Sequence, residues 1–305
     1  MKKKEGVIKN NKINRNPDRK TAIILIVPPL LFLSIFTIYP IFRVIWMSLH
    51  SISVTEPWLG EPFVGIKNYI EMLSDGRFWN SLKFTLLFSI ITGIFELALG
   101  LFLAVIASKK FKFRALIIAA ILFPWVLPTV TNALTWKWMF NFDYGLFNGI
   151  LMQLNLIQDP INWLGNSTLA VIAIYIVSIW KTASFMALLL LPGLQTISNE
   201  IYEAAMIDGA SKIQTFFRIT LPMIRNVILV ALVLRTLQSM QAYDLMVGLT
   251  NGGPGNATES LPLYIHNTAF TDMNMGYGSA LGVVLFIVIA IITLLYAKFL
   301  YDPDG

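Results

Sequence analysis

The sequence predicts an all-α integral membrane protein with six transmembrane helices, and three observations carry that prediction. Hydrophobic residues make up 56% of the chain and charged residues only 13%, far from the roughly one quarter charged typical of soluble domains. Six apolar stretches each reach the roughly 20 residues that a helix needs to cross the hydrocarbon core. Lysine and arginine crowd into alternate connecting segments, the pattern by which cytoplasmic loops are marked.

The six stretches are read as helices over about 21–47, 82–108, 115–140, 168–191, 226–249 and 277–301. Helices follow rather than strands because each run is continuous instead of alternating, and lipid offers no water to satisfy open backbone amides. The first stretch is too long for the apolar part of a signal peptide and lacks a small-residue cleavage pattern. It is therefore read as a retained helix, with kinks expected at Pro28, Pro29 and Pro40. The tail over 1–20 is basic and polar, with Lys2, Lys3, Lys4, Lys9, Lys12, Arg15, Arg19 and Lys20. It is predicted to be disordered and to lie in the cytoplasm.

Charge sets the topology. Lys109, Lys110, Lys112 and Arg114 fill the second loop, and Lys212, Arg218 and Arg225 mark the fourth. The segments over 141–167 and 241–275 contain no Lys or Arg. Odd loops are accordingly placed outside, and even loops with both termini, including 302–305, inside. A net charge of +6 and a pI near 9.4 are thereby accounted for by the membrane surface rather than by nucleic acid. The absence of cysteine rules out disulfides, thiolate metal sites and a cysteine nucleophile.

The fourth loop, about 198–222, is the most informative segment. Over Ile201–Met223 it reads IYEAAMIDGASKIQTFFRITLPM, rich in helix formers and long for a connection, so two short helices are expected. Gly209 is a suitable helix stop, because glycine takes a left-handed conformation without strain. Ala204 and Ala205 permit close approach by another surface, and the flanking Ile201, Tyr202, Met206 and Ile207 offer apolar contact. From the residues alone, such a helix fits either a partner's groove or the surface of the lipid.

Glu203, Ala204 and Ala205, then Asp208 and Gly209, then Ile219, Leu221 and Pro222, are spaced as in the EAA motif, and the chain resembles the permease subunits of ABC importers, in their sugar-transporting branch. FVGIKNYIEMLSDGRFW (Phe63–Trp79), YGLFNGIL (Tyr144–Leu151), NWLGN (Asn162–Asn166) and LTNGGPGNAT (Leu249–Thr258) are similar to further family segments. Ser198 departs from the proline common in relatives. The resemblance implies the type I importer permease fold, with the fourth loop as a cytoplasmic coupling helix docked on an ATPase. It also implies a second, homologous permease, two ATPase subunits that use ATP and Mg, and an extracellular or periplasmic solute-binding protein. No cofactor is expected on this chain itself.

Polar side chains at membrane depth face a bundle interior or an aqueous path. Ser178, Trp180, Thr182 and Phe185 in the fourth stretch, with Arg235, Gln238, Ser239, Tyr243 and Asp244 in the fifth, are the substrate-pathway candidates; most fall where maltose-type relatives hold their sugar. Arg235 keeps glycerol 3-phosphate open as an alternative substrate, because guanidinium suits phosphate. Trp136 and Trp138 are read as interfacial anchors, and Glu96, with Thr92, Gly93 and Gly100, as part of a helix-packing stripe. No zinc-binding H-E-x-x-H, nucleophile G-x-S-x-G or nucleotide-binding G-x-x-x-x-G-K-[ST] pattern is present. The chain is therefore expected to catalyse nothing itself; a membrane receptor or scaffold is the remaining class.

Overall fold

The computed structural model describes residues 16–109 and 112–300. Most of the basic tail, Lys110 and the residues beyond 300 lie outside the described residues. In chain order the helices are α1 (Thr21–Ser48), α2 (Lys67–Ser74), α3 (Gly76–Ser108), α4 (Arg114–Val126), α5 (Thr129–Met139), α6 (Leu146–Gln153), α7 (Ser167–Gln195) and α8 (Asn199–Ile207). They continue with α9 (Lys212–Met223), α10 (Arg225–Met240), α11 (Asp244–Leu249), α12 (Leu261–His266) and α13 (Met275–Leu300).

Four of these, α1, α3, α7 and the Met275–Tyr296 part of α13, are long and apolar enough to cross a bilayer unbroken. Two bent pairs, α4 with α5 at 91° and α9 with α10 at 69°, complete a set of six spans when each pair is taken as one. The third span thus departs from the single straight helix expected over 115–140. Pro128 has no N–H to donate, and Leu127 before it takes an extended conformation (φ −65°, ψ 133°), as a residue preceding proline prefers. The fifth stretch is likewise not one helix: α10 ends at Met240 and α11 begins at Asp244, leaving Gln241, Ala242 and Tyr243 as a non-helical connection.

The bundle is organised about α3 and α7. They come so close at Gly100 that a Cβ there would lie 2.5 Å from the Cβ of Met186, which makes glycine a requirement of the packing rather than of the backbone. Around this pair, Leu101, Ala104, Met186, Ala187 and Leu190 form one buried apolar cluster. A second, with Phe88, Ile174, Val177, Met246 and Leu249, lies toward the other end.

The α1 helix is the exception. Its apolar window is entirely unburied, and Ile24, Leu25, Phe32, Phe36 and Phe42 are each more than half exposed. One widened turn over Ser34–Ile38, closed by the Tyr39 amide on the Ser34 carbonyl, lies immediately before Pro40. The helix therefore passes that proline without breaking.

Candidate functional site

The break between α4 and α5 and the interruption between α10 and α11 meet at one cavity of about 520 Å³, lined by Trp125, Leu127, Pro128 and Thr129 from the first and by Gln238, Gln241, Ala242, Tyr243 and Asp244 from the second. Phe88, Ser178, Lys181, Thr182, Arg235 and Leu245 complete its wall. Irregular backbone at membrane depth is stable only where it is buried in protein or lines a watery space, and both breaks line this one.

Each break is held by a side chain. The Lys181 ammonium donates to the carbonyls of Leu127 (2.5 Å) and Trp125 (3.2 Å), the acceptors left open where α4 ends. A cation at a helix C-terminus also opposes the negative end of its dipole. At the other break Ser260 donates to the Ala242 carbonyl (2.8 Å).

Arg235 is buried beneath the cavity and engages the carboxylate of Glu96 through Nε and Nη2, the latter at 2.9 Å. Ser178 donates to Glu96 (3.1 Å) and accepts from Arg235 (3.1 Å), and Thr182 donates to Glu96 as well. The carboxylate is wholly buried and the guanidinium nearly so, with side-chain exposures of 0% and 5%. Burial of such a pair is tolerated only when the surrounding hydrogen bonds satisfy it, and here two hydroxyls do so. Glu96 is thus the counter-charge of Arg235 rather than a member of a small-residue packing stripe. Its assignment could have been read from one signal, a lone carboxylate and a lone guanidinium in separate apolar spans, since each demands a partner.

The pathway candidates divide. Ser178, Thr182, Arg235, Gln238, Tyr243 and Asp244 come together at the cavity. Trp180 instead packs edge-on against Trp136 at 5.4 Å, Phe185 stacks on Trp125 at 5.6 Å, and the Ser239 hydroxyl bonds that of Ser89 across α3 and α10. Trp125 and Lys181 line the cavity without having been among the candidates. Asp244 opens α11 and is exposed.

The coupling-motif residues form a separate projection. Ser198 begins α8 without a side-chain cap. Gly209 follows its end at φ +76°, and a Cβ there would meet nothing within 4 Å, so backbone conformation alone favours glycine. Ser211 and Gln214 then cap α9 reciprocally. Ala205 is buried, whereas Met206 and Ile207 are 66% and 86% exposed: two large apolar side chains stand out from the bundle with no cover.

At the opposite end, the Gly-Gly-Pro segment wraps round Glu259. Its buried carboxylate takes Arg77 Nε at 2.8 Å and Nη2 at 2.7 Å, and Asn267 at 3.0 Å. Beside it Asp75 accepts from Tyr264 (2.5 Å) and Tyr277 (2.8 Å). Burial raises the Asp75 pKa, but hydrogen bonds from these tyrosines and from the Arg77 and Phe78 amides outweigh it and hold the carboxyl below its ordinary 3.8. Burial, reinforced by Asp75, pushes Tyr264 up to about 12. In the 141–166 loop, Asn148 ties Phe142, Ile161 and Trp163 together through both ends of its amide.

A bundle of four unbroken spans and two bent ones, with non-helical connections meeting at a polar cavity and an exposed hairpin at one end, has the architecture of a transporter's membrane domain. Residues 96–301 match the family described as the inner membrane component of binding-protein-dependent transport systems, and the chain belongs to that family. It is 41% identical to the trehalose/maltose transport system permease protein MalF of Thermococcus litoralis, over 92% of this chain and 94% of that protein. With the sulfoquinovosyl glycerol transport system permease protein SmoG of Agrobacterium fabrum it shares 39% identity, over 94% and 92% of the two chains. A bacterial ABC transporter that imports the acidic polysaccharide alginate has the same fold, with a TM-score of 0.83 at 21% identity over 95% of this chain and 98% of that one.

Proposed function

We propose that this chain is the permease subunit of an ATP-driven, binding-protein-dependent importer that moves a sugar, a di- or oligosaccharide, across the cell membrane by alternating access. The observation that carries this reading is full-length similarity to sugar-system permeases, at 41% identity with a trehalose/maltose protein. ATP hydrolysis belongs to two partner subunits, and an external binding protein supplies the solute. The coupling hairpin, Glu203, Ala204, Ala205, Asp208, Gly209, Ile219, Leu221 and Pro222, faces the cytoplasm together with both termini, and the uncovered Met206 and Ile207 supply its apolar contact with the ATPase.

A second, homologous permease completes the pathway. The uncovered N-terminal part of α1 supports it, since an apolar helix whose side chains its own chain leaves exposed has a face for a neighbour. The cavity is the solute path. Gln238, Gln241, Tyr243 and Asp244 offer hydroxyl-matching groups, and Trp125 offers an aromatic ring. Its cations are committed: Arg235 to Glu96, and Lys181 to two carbonyls. A neutral sugar fits this wall better than glycerol 3-phosphate, for which Arg235 gives no support.

The test is a reconstituted importer with a panel of sugars, in which ATP hydrolysis and uptake are measured together. Replacing Glu203 or Gly209 is expected to leave the complex assembled with ATP hydrolysis no longer driving uptake. Normal uptake by both variants would refute the assignment of the hairpin, and absence of sugar-dependent hydrolysis with the native partners would refute the function.

A further inference from the structure

At the coupling end of the bundle lies a second cavity, of about 920 Å³, larger than the solute cavity and separate from it. Three cations reach it: Lys109 immediately after α3, Arg114 as the first residue of α4, and Lys212 as the first residue of α9. No carboxylate lines it among the described residues. Arg114 is fixed at the rim by its Nε, which donates to the Ala107 carbonyl at 2.8 Å. The apolar part of the wall, Val105, Leu194 and Phe216, comes from turns of α3, α7 and α9. The remaining wall is the coupling helix itself, through Tyr202 and Met206.

We infer that this cleft binds the phosphate headgroup of an anionic membrane lipid, with Lys109, Arg114 and Lys212 on the phosphate and the start of an acyl chain against Val105, Leu194 and Phe216. Two features argue for an amphiphile. Lys109 and Arg114 stand where spans leave or enter the apolar zone, the level at which headgroups lie, and the cleft joins a basic rim to an apolar wall, which a free phosphate would not use. The inference goes beyond the transport reading and rests on it only in placing α8 at the inner membrane surface. Its consequence is mechanical. The α8 helix is tied to α9 by the Tyr202 hydroxyl, 3.3 Å from Thr220, and buries Ala205, so a lipid seated behind it braces the element on which the ATPase would act.

The test is native mass spectrometry of the purified full-length chain in a zwitterionic detergent, titrated with phosphatidylglycerol, phosphatidylcholine or inorganic phosphate. Phosphatidylglycerol should be retained at least tenfold better than phosphatidylcholine, and Lys109→Gln, Arg114→Gln and Lys212→Gln should each weaken retention about fivefold. A Val105→Ser, Leu194→Ser variant should lose the lipid while inorganic phosphate, if it binds at all, is unaffected. Equal retention of both lipids would overturn the inference, and so would unchanged binding in the three glutamine variants. Inorganic phosphate that displaces phosphatidylglycerol at equal concentration would assign the cleft to a free anion instead. Should a variant fail to fold, the salt dependence of the native chain decides, because cationic capture must weaken as salt rises. Uptake by the complete importer, assayed separately, distinguishes failure of this site from failure of the transport reading.

Discussion

Two bidentate Arg–Glu pairs among the described residues sit in opposite surroundings. Arg235 and Glu96 meet 139 residues apart in the interior, with side-chain exposures of 5% and 0%. Arg77 and Glu259 meet at the end that carries the Gly-Gly-Pro segment, where Arg77 is 34% exposed although Glu259 is not. The chemistry is the same bidentate fork. What differs is the alternative open to each partner once the other is gone: the outer arginine can turn to water, whereas Glu96, at 0% exposure, cannot. The inner pair therefore acts as a constraint on how α3, α7 and α10 assemble, and the outer pair as a clasp on one loop.

The largest effect should come from splitting the inner pair. Arg235→Met leaves Glu96 buried with two hydroxyls and no counter-charge, at a cost of about 3–5 kcal/mol. Thermal unfolding in detergent should show a large fall in the midpoint. Adding Glu96→Gln to it should recover much of the loss, because the uncompensated charge is removed along with its partner. If the double variant is no better than Arg235→Met alone, the pair is not the constraint described.

An intermediate effect is expected at Lys181, whose ammonium closes the break between α4 and α5. Lys181→Met strips two carbonyls of their donor, costing about 2 kcal/mol, and it frees the break to move. Uptake by the assembled importer should fall more than stability does, and a spin label at Thr129 should report broadened motion. A drop in stability with unaltered label mobility would make Lys181 a packing residue only. Glu259→Gln should cost less, about 1 kcal/mol after solvent screening, because it leaves Arg77, 34% exposed, free to turn to water. A loss as large as that of Arg235→Met would erase the contrast between the two pairs.

The same contrast explains what could be read from sequence. The spans were legible because length and hydropathy are local properties, and so was the hairpin, because the stop at Gly209 and the cap at Ser211 are local geometries. The breaks were not. Pro124 and Pro128 look alike in sequence, yet α4 continues through Pro124 and ends before Pro128, where Lys181 from a distant helix takes up the exposed carbonyls. In the fifth stretch, no proline or glycine falls within Gln241–Tyr243 to announce the interruption. At the candidate site the polar residues were legible by type, but their roles depend on which neighbour each meets. Arg235 admits ligand, gating and structural readings and Trp180 both a pocket and a packing reading, and only the fold shows that Glu96 pairs with the one and Trp136 packs edge-on against the other.

The smallest expected effect belongs to the clasp and sharpens the comparison from the solvent side. Asp75 is held below its ordinary value by the Tyr264 and Tyr277 hydroxyls and two backbone amides, against the opposing pull of burial. A carboxyl depressed in the folded chain contributes stability that is fully present above its unfolded value of about 3.8 and is lost as pH falls through the lower folded value. The thermal midpoint should therefore decline on acidification through and below that range, and Asp75→Asn should flatten this part of the profile while lowering the midpoint at neutral pH. The asparagine still accepts a hydrogen bond from a tyrosine, so the neutral-pH loss should be modest. An acid limb of unchanged slope in Asp75→Asn would locate the titrating group elsewhere and leave the clasp without a measurable part in the fold.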